Sequence, residues 1–186
     1  TMTKVKLNTK DITEIGMFAA LTAIGASISI PLGPVPITLQ SLFVLLSGLV
    51  LGSRKAFFSQ TAYVLLGLAG LPVFAGFSGG IQSVTNPSFG FVIGFVASAF
   101  FAGKISEKQM YSTKNSALSV LAGTLVIYAI GIPYMYYVLN IILAENLNII
   151  QILSMGMFMF IPGDILKAVI AVIIWKKFRK NYSKKS

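Results

Sequence analysis

Asp164 and Lys167 are opposite charges three residues apart inside the last long apolar run of the chain, so a helix there presents both on one face. An ionised side chain at the centre of a bilayer costs at least ~2.5 kcal/mol and by default faces a protein interior or a ligand. Trp175, followed by Lys176 and Lys177, reads as an anchor at the membrane interface. Asp164 lies roughly 16 Å before it on a helix rising about 1.5 Å per residue, near mid-membrane. Two roles fit such a pair: recognition of a polar ligand, or an internal ion pair that neutralises itself. Pro162 and Gly163, directly before the aspartate, favour the first, because an interrupted helix frees backbone groups that a ligand can meet.

Other chemistry is scarce. Cysteine and histidine are both absent, which removes disulfides, thiolate chemistry and the commonest zinc and haem ligands. Asp164 is the only carboxylate expected to be buried, so mechanisms that need two have no second member. Gly103-Lys104 is followed by Ile105 and lacks the spacing of a phosphate-binding loop, so that motif gives no ATP hydrolysis. Neither an enzyme nor a bound metal or cofactor is expected. A proton-coupled carrier stays open with one Asp and one Lys, and ligand binding is the simpler assignment.

The elements that must position the pair are membrane helices. Apolar residues make up 55% of the chain, charged residues 11%, and mean hydropathy is +0.82, whereas soluble domains carry about 25% charge. The 186 residues suffice for a single all-α bundle. Six apolar stretches of helical length are predicted, at 12–30, 37–51, 56–70, 89–105, 117–143 and 149–175. The second and third are short against the ~20 residues a span needs. Residues 31–36, with Pro31, Pro34 and Pro36, read as an ordered outer loop or re-entrant turn. Residues 71–87, with Gly76, Gly79 and Gly80, read as a loop folded over the mouth of the bundle.

Charge orients these spans. All Lys and Arg residues except Lys167 fall in the N-terminal segment (Lys4, Lys6, Lys10), at Arg54 and Lys55, in the loop with Lys104, Lys108 and Lys114, or in the tail from Lys176. With six spans these segments lie on one side, which the positive-inside rule makes cytoplasmic together with both termini. The net charge of +10 is thus accounted for by topology, and no aromatic-plus-basic patch argues for nucleic acid. The tail is expected to touch anionic membrane lipid. In the first span Ile15, Ala19, Ala23 and Ser27 recur every four residues, extended by Gly16 and Ala20, a small-residue face that admits another helix closely, inside the bundle or from a partner. Gly48/Gly52 and Gly90/Gly94 have the same spacing, a motif of low specificity that is not taken as a partner contact.

Three blocks then become familiar in order. Pro34-Val35-Pro36-Ile37-Thr38-Leu39-Gln40, the run from Leu65 through Pro72 to Gly76 with Gly79-Gly80, and Pro162-Gly163-Asp164-Ile165-Leu166-Lys167 resemble BioY. These are the biotin-binding membrane subunits, or S components, of energy-coupling factor transporters. One block departs: where the family usually has Gly-Pro-Thr-Gly-Gly-Tyr, this chain has Asn86-Pro87-Ser88-Phe89-Gly90-Phe91, keeping a hydroxyl at Ser88 and losing one at Phe91.

The resemblance implies a six-helix bundle in the cell membrane that captures biotin outside and delivers it inward with a transmembrane coupling subunit and two ATPase subunits. Biotin offers two ureido N–H donors, a ureido carbonyl, an apolar ring and a carboxylate. Asp164 is expected to accept from the ureido nitrogens, and Lys167 to pair with the carboxylate or the carbonyl. Gln40, Ser83, Asn86 and Ser88 are further polar candidates, and Phe74, Phe77 and Phe89 candidates for the apolar box; packing or backbone capping fits each equally well. The stripe Ala19, Ala23, Ser27 matches the surface by which such components dock on the coupling subunit. An S component for another vitamin, or a solitary carrier, are the alternatives. The apolar stretch from Ala168 to Ile174 offers a solitary carrier no polar path.

Overall fold

The computed structural model describes residues 8–108 and 113–182. Lys4, Lys6, Lys184 and Lys185 lie outside the described residues. Among the described residues the fold is all-α apart from one two-stranded hairpin. Helix α1 (Thr9–Ser27) starts three residues earlier than expected because Asn8 and Asp11 form a reciprocal cap, each side chain accepting from the other's backbone N–H at 2.8 and 3.1 Å. It ends before strand β1 (Ser29–Ile30), which pairs antiparallel with β2 (Ile37–Thr38) and so closes the proline-rich loop between them. This pairing, rather than helix, occupies the last residues of the predicted first span.

Helix α2 (Gln40–Leu68) covers the predicted second and third spans in one element that is broken at Gly52, whose φ of 78° is non-helical. Its limbs, 40–51 and 53–68, fold back on each other. The Gln40 amide donates to the Tyr63 hydroxyl at 2.5 Å, whereas a straight helix holds residues so spaced roughly 34 Å apart. Deeper down, Gln60 donates to Thr22 Oγ1 of α1 at 3.1 Å and to Ser47 of the first limb at 3.5 Å, so one amide ties α1 to both limbs. At the turn, Glu107 accepts from the Ser53 N–H at 2.7 Å and from its hydroxyl at 3.0 Å, capping the second limb. Lys55 reaches Asp11 at 3.3 Å and Glu14 at 2.5 Å. The start of α1, the turn at Gly52 and the segment around Glu107 therefore meet at one end of the bundle.

Helix α3 (Phe89–Lys108) packs between the limbs of α2 and helix α4 (Thr113–Tyr137). Gly48, Gly90 and Gly94 serve this packing, whereas Gly52 makes the turn in α2. A Cβ at Gly48 meets the Ala99 carbonyl at 2.9 Å, and one at Gly94 meets the Ile127 backbone at 3.2 Å. A π turn (Val138–Ile142) extends α4. Helix α5 (Ile149–Leu153), capped by Asn148, runs through a second π turn (Ser154–Phe158) to helix α6 (Ile161–Tyr182). Among the described residues, four helical stretches are long and apolar enough to cross a membrane: Gln40–Leu68, Phe89–Lys108, Thr113–Ile142 and Ile149–Lys180. Asp164 lies near the middle of the last of these. Trp175 is 6% exposed and packs in the core.

Substituting Gly52 tests the hairpin. Alanine there strains the backbone, and its Cβ clashes with the Glu107 carboxylate. Gly52→Ala is expected to destabilise the protein by about 1–3 kcal/mol, read as a lower melting temperature in detergent, with Glu107→Ala destabilising in the same direction through the lost cap.

Candidate functional site

Pro162 fits the first turn of α6, where its missing N–H costs nothing, and the Asp164 N–H donates to the Phe160 carbonyl at 2.8 Å. The interruption therefore falls just before the proline, at residues 159–160. Asp164 sits in the first turn, where the helix dipole favours a negative charge. One turn on, Lys167 is 7% exposed and lies 2.6 Å from Asp164 Oδ1. It also donates to Ser41 Oγ at 2.8 Å and to the Thr38 carbonyl at 3.3 Å. The Tyr128 hydroxyl of α4 donates to the second aspartate oxygen, Oδ2. One ion pair thus joins α6 to β2, to the first limb of α2 and to α4.

The pair lines a cavity of about 120 Å³, roughly tenfold the space one water needs. Its roof is loop. Phe74 is buried between Tyr63 and Phe89 in edge-on contacts with ring centroids 5.6 and 6.0 Å away. The Tyr63 hydroxyl donates to the Val73 carbonyl at 3.0 Å, and the Tyr134 hydroxyl to the Val84 carbonyl at 2.5 Å, pinning the 71–87 segment at two points. This is the loop over the mouth that its composition predicts.

Of the nine residues predicted to contact a ligand, the cavity brings together eight: Asp164, Lys167, Asn86, Gln40, Ser83, Ser88, Phe74 and Phe89. Phe77 is not among them. It is 67% exposed at a positive φ and lines a shallow concavity on the outside of the same loop. Gln40, 4% exposed, accepts from the Thr38 hydroxyl and donates to Tyr63, so its amide is spent on holding the wall. Asn86 Oδ1 accepts from the backbone and hydroxyl of Ser88 at 3.0 and 2.8 Å. Sequence reasoning missed Ser41, Thr124 and Tyr128, which also line the cavity, and the rings of Phe91, Phe95 and Phe160. Phe91 meets Tyr128 edge-on at 6.4 Å, so a hydroxyl absent from position 91 is present on the facing helix.

The small-residue stripe divides. Ala19 is 5% exposed and belongs to the core, and Ala23 is half-buried against it, so neither offers the open face expected of them. Ser27 is exposed, as are Gly16 and Ala20, and a Cβ at Gly16 meets nothing within 4 Å. The outward smooth face of α1 is thus turned by one residue from the predicted stripe.

Removing one partner of a buried ion pair costs about 3–5 kcal/mol, and losing a hydrogen bond to a charge about 1.5–3 kcal/mol. Asp164→Ala is therefore expected to lower the melting temperature more than Tyr128→Phe does, with both below the parent protein.

Comparison with known proteins agrees with this geometry. The BioY family model matches residues 2–184. A probable biotin transporter BioY of Pyrococcus horikoshii is 42% identical over 175 residues, spanning 94% of this chain and 99% of that protein. The biotin transporter BioY of Thermotoga maritima is 41% identical over 171 residues, spanning 92% and 96%. A crystal structure of the S-component for biotin from an ECF-type ABC transporter superposes with a TM-score of 0.82 at 27% identity, covering 94% of this chain and 95% of that one. With a cavity beneath an ordered loop, a buried ion pair in its wall and relatives matching over almost their whole length, this chain belongs to the BioY family.

Proposed function

We propose that the chain is the substrate-capturing subunit of a biotin transporter, binding biotin in the cavity beside Asp164 and handing it inward with an energising module. The observation that carries this reading is the buried Asp164–Lys167 pair lining a cavity under the 71–87 loop, near the middle of the last apolar stretch. A bicyclic ligand with ureido donors, a carbonyl and an apolar ring matches a wall of phenylalanines with one charged corner. The relatives support biotin over another vitamin by name. Mass spectrometry of the small molecule that copurifies with the protein separates these two.

In this reading the two limbs of α2 count as two spans, and with α1, α3, α4 and α5–α6 they make six. The basic residues Arg54, Lys55, Lys104 and Lys108 accompany the Gly52 turn and the end of α3, away from the loop that roofs the cavity. The positive-inside rule makes that end cytoplasmic and the roof external. The sequence carries no phosphate-binding loop, and the family resemblance implies a transmembrane coupling subunit and two ATPase subunits as partners, with membrane lipid around the bundle.

Four proteins test the ligand site. Truncating one partner of a buried charged contact costs about 2–5 kcal/mol, so Asp164→Asn is expected to lower biotin affinity about 30-fold or more. Lys167→Met is also expected to weaken binding. If the pair is purely structural, the double change Asp164→Asn with Lys167→Met restores thermal stability and keeps biotin affinity. Calorimetry and melting curves on the parent, both single variants and the double variant separate the outcomes.

Docking is tested on α1. Gly16→Trp or Ala20→Trp adds bulk to the outward face, and is expected to abolish uptake in cells carrying the energising subunits while leaving biotin binding intact. Ala19→Trp adds it inside the core and is expected to lose both.

A further inference from the structure

The protons around the ion pair can be assigned one by one. Lys167 has three, and three acceptors surround it: Asp164 Oδ1 at 2.6 Å, Ser41 Oγ at 2.8 Å and the Thr38 carbonyl at 3.3 Å. A ligand oxygen can take a proton from Lys167 only by displacing one of them. Asp164 differs. Its two oxygens accept about four hydrogen bonds, and Lys167 and Tyr128 occupy one place on each, which leaves the carboxylate able to accept from a ligand.

A cyclic urea presents a carbonyl acceptor next to its N–H donors, so the site needs a donor beside the carboxylate. Most cavity hydroxyls are already committed: Thr38 donates to Gln40 Oε1, Thr124 to the Val120 carbonyl, Ser78 to the Ala75 carbonyl, Ser88 to Asn86 and Tyr128 to Asp164. Ser41 accepts from Lys167, and among the described residues no acceptor uses its own proton. Ser83 is similarly uncommitted but lies in the roof loop and faces the outer concavity as well. Ser41 Oγ at 2.8 Å and Asp164 Oδ1 at 2.6 Å are bound to the same nitrogen, so a donor and an acceptor flank one ammonium at the cavity wall, and a urea carries an acceptor and a donor close together in the same way. A hydroxyl whose oxygen accepts from an ammonium is polarised toward donating.

We propose that Ser41 donates to the ureido carbonyl of the ligand while Asp164 accepts the neighbouring N–H, and that Lys167 is a positioning residue which holds both groups without touching the ligand. This rests on biotin being the ligand and goes further than the charged pair alone.

The test uses biotin carrying a 13C-labelled ureido carbonyl and isotope-edited infrared spectra of the bound molecule. In the parent protein the carbonyl band is expected below its position in an aprotic solvent. In Ser41→Ala the band is expected to rise and biotin affinity to fall about tenfold, the consequence of a ligand acceptor left unpaired. In Ser41→Thr, which keeps the hydroxyl, the band is expected to stay low. Lowered affinity in Ser41→Ala with an unmoved band overturns the proposal, because Ser41 then only supports Lys167. Should Ser41→Ala fail to fold or bind, Ser41→Cys decides: its weak S–H donor is expected to raise the band, and an unchanged band overturns the assignment. If the parent protein does not bind biotin, the ligand assignment itself fails, an outcome distinct from an unmoved band.

Discussion

An ammonium group enclosed by apolar helices is tolerable only where every one of its protons has an acceptor, and the architecture around Lys167 follows from that requirement. Its acceptors come from three places: Asp164 on the same helix, Ser41 at the top of the first limb of α2 and the backbone of β2. For these to converge, the chain between α1 and α2 must return to the bundle, which the β1–β2 pair and the three prolines enforce. The aspartate in turn draws Tyr128 from α4. Three segments distant in sequence, around residues 38–41, 128 and 164–167, are thus held at one point by one ion pair, and the cavity is the space they leave above the packed glycine seams of α2, α3 and α4.

Polar contacts also tie the interior of α2 together, although Gln60 Oε1, Ser59 Oγ and Thr61 Oγ1 have no hydrogen-bond partner among the described residues. Gln60, Thr22 and Ser47 are fully buried, and a single glutamine amide serves both neighbours. In a bilayer such a contact is favoured because the alternative is an unpaired amide in hydrocarbon. The hairpin at Gly52 is stabilised from its far side by Glu107, so the two ends of α2 are fixed by different chemistry: an uncharged amide–phenol bond near the roof and a carboxylate cap at the turn.

Asp164 and Lys167 were legible in the sequence because ionisable residues in an apolar run are rare enough to carry meaning alone. The apolar stretches were legible for a similar reason, as was the proline-rich loop. Tyr128 and Ser41 were not, since tyrosines and serines are ordinary in membrane helices and only their distance to the charged pair sets these two apart. The α1 stripe was displaced because a four-residue spacing drifts around a helix of 3.6 residues per turn, and Ala19 and Gly16 differ only in which side of that drift meets the core. Phe77 follows Gly76 in a tight turn whose outward direction no pattern of residue types encodes. The cap at Asn8 was not read from the sequence, because the polar residues there masked the helix that begins with them.

The roof has a kinetic consequence. Both of its pins are single uncharged hydrogen bonds ending on main-chain carbonyls, Val73 and Val84, and such bonds contribute only about 0.5–1.5 kcal/mol each. The floor holds a charged network of several partners and sits on packed helices. Equilibrium affinity is therefore a property of the floor, whereas the residence time of an occupant depends on how often Phe74 leaves its slot between Tyr63 and Phe89. The two quantities are written in separate segments of the chain and can drift independently as sequences diverge.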